Sequence, residues 1–246
     1  VMIMMVMMGS MSSVEDVKAA EPIKVGAILA VTGPAAFLGA PEQKTIEMLV
    51  DEINANGGIN GQQVELIIKD SQASPEKAIS FAKQLIEEEN VFAILGPSTS
   101  GETMQIKDIC EASQTILISC AAAEVIVNPI AKYVFKTPQK DSDAARKIFL
   151  TLQELNIAKI AVLTANTGFG KAGRGQLEKI APEYNIEIAI SEEYAKDATD
   201  LTGVLTKVKT ADVGAVVNWS IVPAQSILAK NMRQLGFTIP LFQSHG

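Results

Sequence analysis

The feature that most constrains this chain is a rhythm in which short, wholly apolar runs alternate with longer segments of helical periodicity. Residues 23–31 (IKVGAILAV) form the first run, bounded by Pro22 and by Thr32-Gly33-Pro34. Residues 39–56 then put Ile46, Leu49, Val50 and Ile53 on one helical face. Asn56-Gly57-Gly58 ends that helix, because glycine tolerates the left-handed backbone of a helix terminus. The alternation continues with a strand at 63–69, a helix at 75–89, a strand at 91–95, a helix at 101–112 and a strand at 115–119. A strand that is apolar throughout, without polar alternation, is buried on both faces, which is the habit of parallel sheets. Strand–helix units therefore predict a doubly wound α/β fold, with right-handed crossovers placing helices on both faces.

The pattern then restarts. A short strand at 133–137 is followed by Pro138, a helix at 141–156 and a strand at 159–164. Further helices are expected at 170–184, 201–210 and 223–235, with strands at 186–191, 214–219 and 240–243. Lys24-Val25-Gly26-Ala27-Ile28-Leu29 with Thr32-Gly33 is echoed by Lys159-Ile160-Ala161-Val162-Leu163-Thr164 with Thr167-Gly168. The expectation is two doubly wound parallel-sheet lobes, 21–140 and 141–246, divided near residues 137–143. A sheet that stops at 240–243 has an unfinished edge, so the second lobe reads as incomplete and the chain as a truncated copy of a longer protein.

Residues 1–8 (VMIMMVMM) are all apolar and are followed by small and polar residues. That order resembles the core and cleavage site of a secretory signal, and the run is too short to span a bilayer. Residues 1–20 are expected to be a signal-peptide remnant and the mature chain to be periplasmic. Net charge is −7 with no basic stripe, so nucleic acid is not an expected partner. A single histidine, His245, and two cysteines leave too little for a zinc site or a Ser-His-Asp triad. The chain reads as a non-enzyme without metal or cofactor. Strand geometry sets Cys110 and Cys120 about 10 Å apart, too far for a disulfide.

Two loops carry chemistry. Gly96-Pro97-Ser98-Thr99-Ser100-Gly101 leaves a buried strand and opens a helix, presenting small hydroxylated residues, Ser98 and Ser100 among them, at a positive helix terminus. That is a site for a carboxylate or phosphate. Ser119-Cys120-Ala121-Ala122-Ala123 follows the next strand, at the carboxyl edge where open α/β sheets bind ligands. A third loop, Gly168-Phe169-Gly170-Lys171-Ala172-Gly173, is a literal G-x-G-x-x-G with Glu187 about 20 residues on. It supports an alternative, a nucleotide-dependent oxidoreductase. Against it, four residues, 165–168, separate strand from glycine pattern, and Arg174 stands where small apolar packing is wanted.

The first-loop run Thr32-Gly33-Pro34-Ala35-Ala36-Phe37-Leu38-Gly39 resembles the opening of leucine/isoleucine/valine-binding proteins. Glu52-Ile53-Asn54-Ala55-Asn56-Gly57-Gly58-Ile59-Asn60-Gly61, Asp70-Ser71-Gln72-Ala73-Ser74-Pro75 and the Gly96 loop continue the resemblance, which runs from Ile23 to the end. It implies a type I periplasmic binding fold, the solute-binding component of an ABC importer, a membrane permease as partner, and hinge closure around a small carboxylate or amino acid. By position, Ser100 resembles the hydroxyl that binds the ligand carboxylate. Ala121, Ala122 and Ala123 resemble the loop giving backbone contacts, with Ala123 where a Thr is common. Leu38 falls on the first-loop wall and Phe169 on the rim, while Trp219, Ile221 and His245 would close from the second lobe. His245 stands where the family has its amine-binding carboxylate, so the expected ligand is an acid without an α-amino group. A ligand-sensing domain of a regulator or receptor is a further alternative.

Overall fold

The computed structural model describes residues 21–245, and the signal-like run lies outside them. Both expected parallel sheets are present. The first joins β1 (Ile23–Leu29), β2 (Val64–Asp70), β3 (Ala93–Leu95), β4 (Ile116–Ser119) and β5 (Val134–Lys136) in the order β2-β1-β3-β4-β5. Its helices are α1 (Ala36–Ala55), α2 (Pro75–Glu87) and α3 (Ser100–Ser113). The second joins β6 (Lys159–Ala165), β7 (Glu187–Tyr194), β8 (Ala215–Trp219) and β9 (Leu241–Gln243) in the order β7-β6-β8-β9. Around it pack α4 (Asp141–Glu154), α5 (Gly168–Ile180), α6 (Thr202–Thr210) and α7 (Ala224–Gln234).

The second sheet shows why its strands read as unbroken apolar runs. Along β6, Ile160 and Val162 point into a core shared with α4 and α5, while Ala161, Leu163 and Ala165 point into one shared with α6 and α7. Side chains alternate faces along a strand, so both faces must be apolar when both are covered. On β8 the same alternation sends Ala215, Val217 and Trp219 to the α4–α5 side and Val216 to the other. Trp219 and Phe149 are fully buried there, and each such side chain contributes roughly 1.5–3 kcal/mol by leaving water.

Two sequence-based boundaries shift for identifiable reasons. Helix α1 begins at Ala36 rather than at Gly39. Gly39 is needed for contact instead: a Cβ there would lie 2.3 Å from the carbonyl oxygen of Ala30. Strand β6 runs on to Ala165 and α5 starts at Gly168, so two residues separate them, not four. The Thr167 hydroxyl accepts from Gly170 N at 3.0 Å and caps the helix at once.

The chain passes from the first sheet to the second between β5 and α4, and two carboxylates fasten that crossover. Asp141 Oδ2 accepts from Glu124 N at 2.7 Å, and Glu124 Oε2 accepts from Ser142 N at 2.9 Å. Lys136 Nζ, at the end of β5, donates to the carbonyls of Ala122 at 2.6 Å and Gln139 at 2.7 Å. The loop after β4 is thereby tied to the crossover. Burial works on both acids, with opposite outcomes. For Glu124, hydrogen bonds from Ser142 and Asn128 outweigh burial and hold the carboxyl below its ordinary range. For Asp141 burial prevails over the Glu124 amide and Lys136, and the pKa is pushed up to about 6.

Two expectations follow from this packing. Gly173→Ala sets a Cβ 2.1 Å from Trp219 Nε1, whereas Gly175→Ala on the same helix meets nothing within 4 Å. Urea melts should show the first destabilised by about 1–3 kcal/mol and the second stabilised by about 0.5–1 kcal/mol. For Asp141, a carboxyl whose folded pKa is raised contributes stability that is full below its unfolded value and lost as pH rises through about 6. Asp141→Asn is therefore expected to gain on the order of 2 kcal/mol over the parent above about pH 7. That gap should narrow steadily in melts taken down to about pH 5.

Candidate ligand cleft between the lobes

Every parallel strand delivers its following loop to the carboxyl edge of its sheet, and here the two carboxyl edges share one cleft. Its walls come from loops after β1 (Pro34, Ala35), β2 (Ala73) and β3 (Thr99 to Glu102) on one side. Loops after β6 (Asn166 to Phe169), β7 (Lys196) and β8 (Ile221, Val222) form the other. The enclosed space is about 190 Å³, below the usual 300–1,000 Å³ of small-molecule pockets. The lobes meet backbone to backbone: a Cβ on Gly168 would lie 2.8 Å from Gly101 N. The start of α5 thus abuts the start of α3.

This contact accounts for the glycine pattern at 168–173. Gly168 allows the approach to Gly101, Gly170 leaves 2.0 Å between its missing Cβ and the Ala165 carbonyl oxygen, and Gly173 makes room for the Trp219 ring. Packing therefore uses each glycine, and the space a pyrophosphate would take at the α5 terminus is occupied by the other lobe.

The structure brings Ser100 and the Ala121–Ala123 loop together. Ser100, buried at the first turn of α3, accepts from Ala123 N through its hydroxyl at 3.2 Å. Ser119 orders the loop, its hydroxyl accepting from Ala121 N at 3.1 Å and lying 2.8 Å from Thr103 Oγ1. The N-terminus of α3 carries the positive end of a 14-residue helix dipole into the cleft. Thr99 caps α3: its hydroxyl accepts from Glu102 N at 3.4 Å and donates to Glu102 Oε2 at 2.5 Å. The Thr99-x-x-Glu102 spacing was a legible signal for this cap, and the sequence reading passed over it.

Other expected residues are distributed differently. Phe169 and Ile221 line the cleft. Ser98 does not: its hydroxyl accepts from Ala30 N at 3.0 Å and donates to Glu42, linking β1, α1 and the β3–α3 loop. Burial, partly offset by that bond and reinforced by Glu102, raises the Glu42 carboxyl above its ordinary range. Leu38 is half-buried on α1, and the neighbouring Phe37 takes the cleft wall. Trp219 lies behind the wall, in the α4–α5 core. His245 stacks edge-on against Phe169 and Trp219, with ring centroids 5.4 Å from each. Burial and the nearby Lys136 lower its pKa, leaving the imidazole neutral at pH 7. Lys196, exposed at the rim, had no signal in the sequence. Cys110 and Cys120 are free thiols, pushed up to about 12 and about 11 by burial.

Known proteins resemble this arrangement along most of the chain. The Leu/Ile/Val-binding protein homolog 7 of Brucella abortus is 27% identical over 213 residues, covering 82% of this chain and 53% of the relative. The leucine-, isoleucine-, valine-, threonine- and alanine-binding protein of Pseudomonas aeruginosa is 27% identical over 220 residues, covering 89% and 59%. Among solved structures, the branched-chain amino acid transporter substrate-binding protein LivJ of Streptococcus pneumoniae, in complex with isoleucine, superposes with a TM-score of 0.79 at 30% identity. It is covered over 64% of its length, and 90% of this chain is matched. An extracellular ligand-binding receptor from Rhodopseudomonas palustris gives 0.82 at 27% identity, covering 90% of this chain and 61% of the receptor. The chain thus spans between about half and two thirds of the length of these relatives. The family profile described as periplasmic binding protein matches residues 22–246, and the chain belongs to that family.

Proposed function

We propose that this chain is the receptor of an ABC importer, taking a small carboxylate-bearing metabolite or amino acid between lobes 21–140 and 141–246. The observation that carries the reading is the bond between the Ser100 hydroxyl and Ala123 N. Two groups that can each donate to a carboxylate are held together at a helix N-terminus, with Ser100 on the cleft wall and Ala123 buried directly behind it. A ligand carboxylate entering there takes both hydrogen bonds in exchange for one, and gains the dipole of α3. Phe169 and Ile221 would then close over the ligand from the second lobe.

Nothing in this arrangement needs a chemical step. Binding energy is spent on favouring the closed state, since a ligand that touches both lobes stabilises closure by its contacts with the second. The crossover at Lys136 to Asp141 is the hinge, and its bonds to the Ala122 carbonyl and Glu124 amide connect it to the ligand loop. Family membership supports a site of action outside the cytoplasmic membrane, with the solute handed to a permease. The named ligands of the relatives, leucine, isoleucine and valine, are the first probes.

A thermal-shift screen of branched-chain amino acids beside keto, hydroxy and aromatic acids is expected to give at least one saturable rise in melting temperature. Ser100→Ala should weaken that ligand about tenfold, which corresponds to about 1.4 kcal/mol. A panel without any stabilising acid, or a ligand indifferent to Ser100→Ala, would count against this site.

A further inference from the structure

We propose that Lys196 is a specificity-determining residue of the cleft, and that the ligand carries a second anionic group opposite the carboxylate taken at Ser100. The inference rests on the receptor reading above. It begins from the charges on the cleft walls. Among the described residues only two wall side chains are ionisable, Glu102 on the first lobe and Lys196 on the second. Glu102 is fully buried; its Oε2 accepts from the Thr99 hydroxyl and its Oε1 has no partner among the described residues. Lys196 is exposed, and its ammonium makes no ion pair among them. The second wall of the cleft thus carries a cation without a counter-charge.

The backbone beneath Lys196 is fixed. Strand β7 ends at Tyr194, whose buried side chain donates through its hydroxyl to Asn218 Oδ1 at 2.8 Å. The Tyr194 carbonyl accepts from Asn166 N at 2.8 Å, tying the loop after β7 to the loop after β6. Ala198 N then closes a turn onto the Ala195 carbonyl at 3.0 Å, and Lys196 stands inside that turn. Charged neighbours show the ordinary alternative. Lys207 pairs with Glu192 at 2.8 Å, Lys209 donates to the Leu235 carbonyl at 2.8 Å, and Asp200 accepts from the amide and hydroxyl of Thr202. Their charges are used within the second lobe, whereas Lys196 is held at the cleft.

The two walls therefore offer two anion sites of different kinds. On the first, the Ser100 hydroxyl, the Ala123 amide and the α3 dipole are fixed groups that suit one carboxylate. On the second, Lys196 presents a full charge and three donors on a flexible stem, which takes a carboxylate or a phosphate as a point charge. Phe37, Phe169, Ile221 and Val222 lie on the same walls and suit a short apolar spacer. A ligand with an anion at each end touches both lobes, so its second charge favours the closed state. The net charge of −7 repels a dianion at long range, which leaves the preference to this local pair.

The test is calorimetric titration of the full chain with succinate and glutarate beside butyrate and valerate, and with phosphoglycolate beside glycolate. The wild type is expected to prefer the doubly anionic member of at least one set roughly tenfold, and the preference should shrink at high salt. Which set shows it tells carboxylate from phosphate. Lys196→Gln should bring the ratio to parity and Lys196→Glu should reverse it, whereas Lys179→Gln, an exposed change in the last turn of α5, should keep it. Equal wild-type affinities, or a ratio kept in Lys196→Gln, overturn the assignment. The second outcome includes the case in which the lysine closes onto Glu102 and both classes weaken together. Binding that still depends on Ser100 then leaves the receptor reading standing. Absence of binding by all six compounds overturns the assignment, and the receptor reading falls with it if the wider acid screen is also empty.

Discussion

Two acidic side chains exchange backbone hydrogen bonds where the chain leaves the first sheet for the second, and the cleft depends on that exchange. Asp141 receives the Glu124 amide and Glu124 receives the Ser142 amide. The pair joins the first turn of α4 to the loop that follows β4, so the helix that supports the second sheet is positioned by the loop packed behind Ser100. Lys136 adds a third tie through the Ala122 carbonyl. The loop after β4 and the crossover are tied through Glu124, Lys136, Asp141 and Ser142.

The molecule carries a net charge of −7, yet the cleft is suited to an anion. Local dipoles resolve this. The α3 terminus offers amides and a hydroxyl beside the Thr99–Glu102 cap, facing the opposite lobe across the cleft. In such surroundings fixed dipoles act more strongly than they do in bulk water. Asp141 shows the other side of the same physics. Burial outweighs the Glu124 amide and Lys136, raises its pKa to about 6 and lowers the stability of the protein at neutral pH.

Much of this was legible in the sequence, and the boundary of legibility has physical causes. The two parallel sheets could be read because a doubly covered strand must be apolar along its length, as β6 and β8 are. The Ser100 loop could be read because small hydroxylated residues between a strand and a helix have few uses other than capping and anion binding. Trp219 could not be placed: with every residue of β8 buried, composition does not tell which face each side chain takes. Leu38 gave way to Phe37 because α1 starts three residues early and each residue turns the helix by about 100°. The Asp141 tie was hidden because its partner amide lies at Glu124, brought to it by the crossover. No local pattern encodes that meeting.

The central claim is that a bound ligand holds the lobes closed. It is tested most directly by a pulsed electron-spin distance measurement between labels on Lys44→Cys in α1 and Lys230→Cys in α7, both exposed. The native thiols, with pKa values of about 12 and about 11, compete poorly for the label. The account predicts a broad distance distribution in the free protein that narrows to a single shorter distance at saturation with a stabilising acid. A distribution that stays the same while the ligand is bound would contradict it.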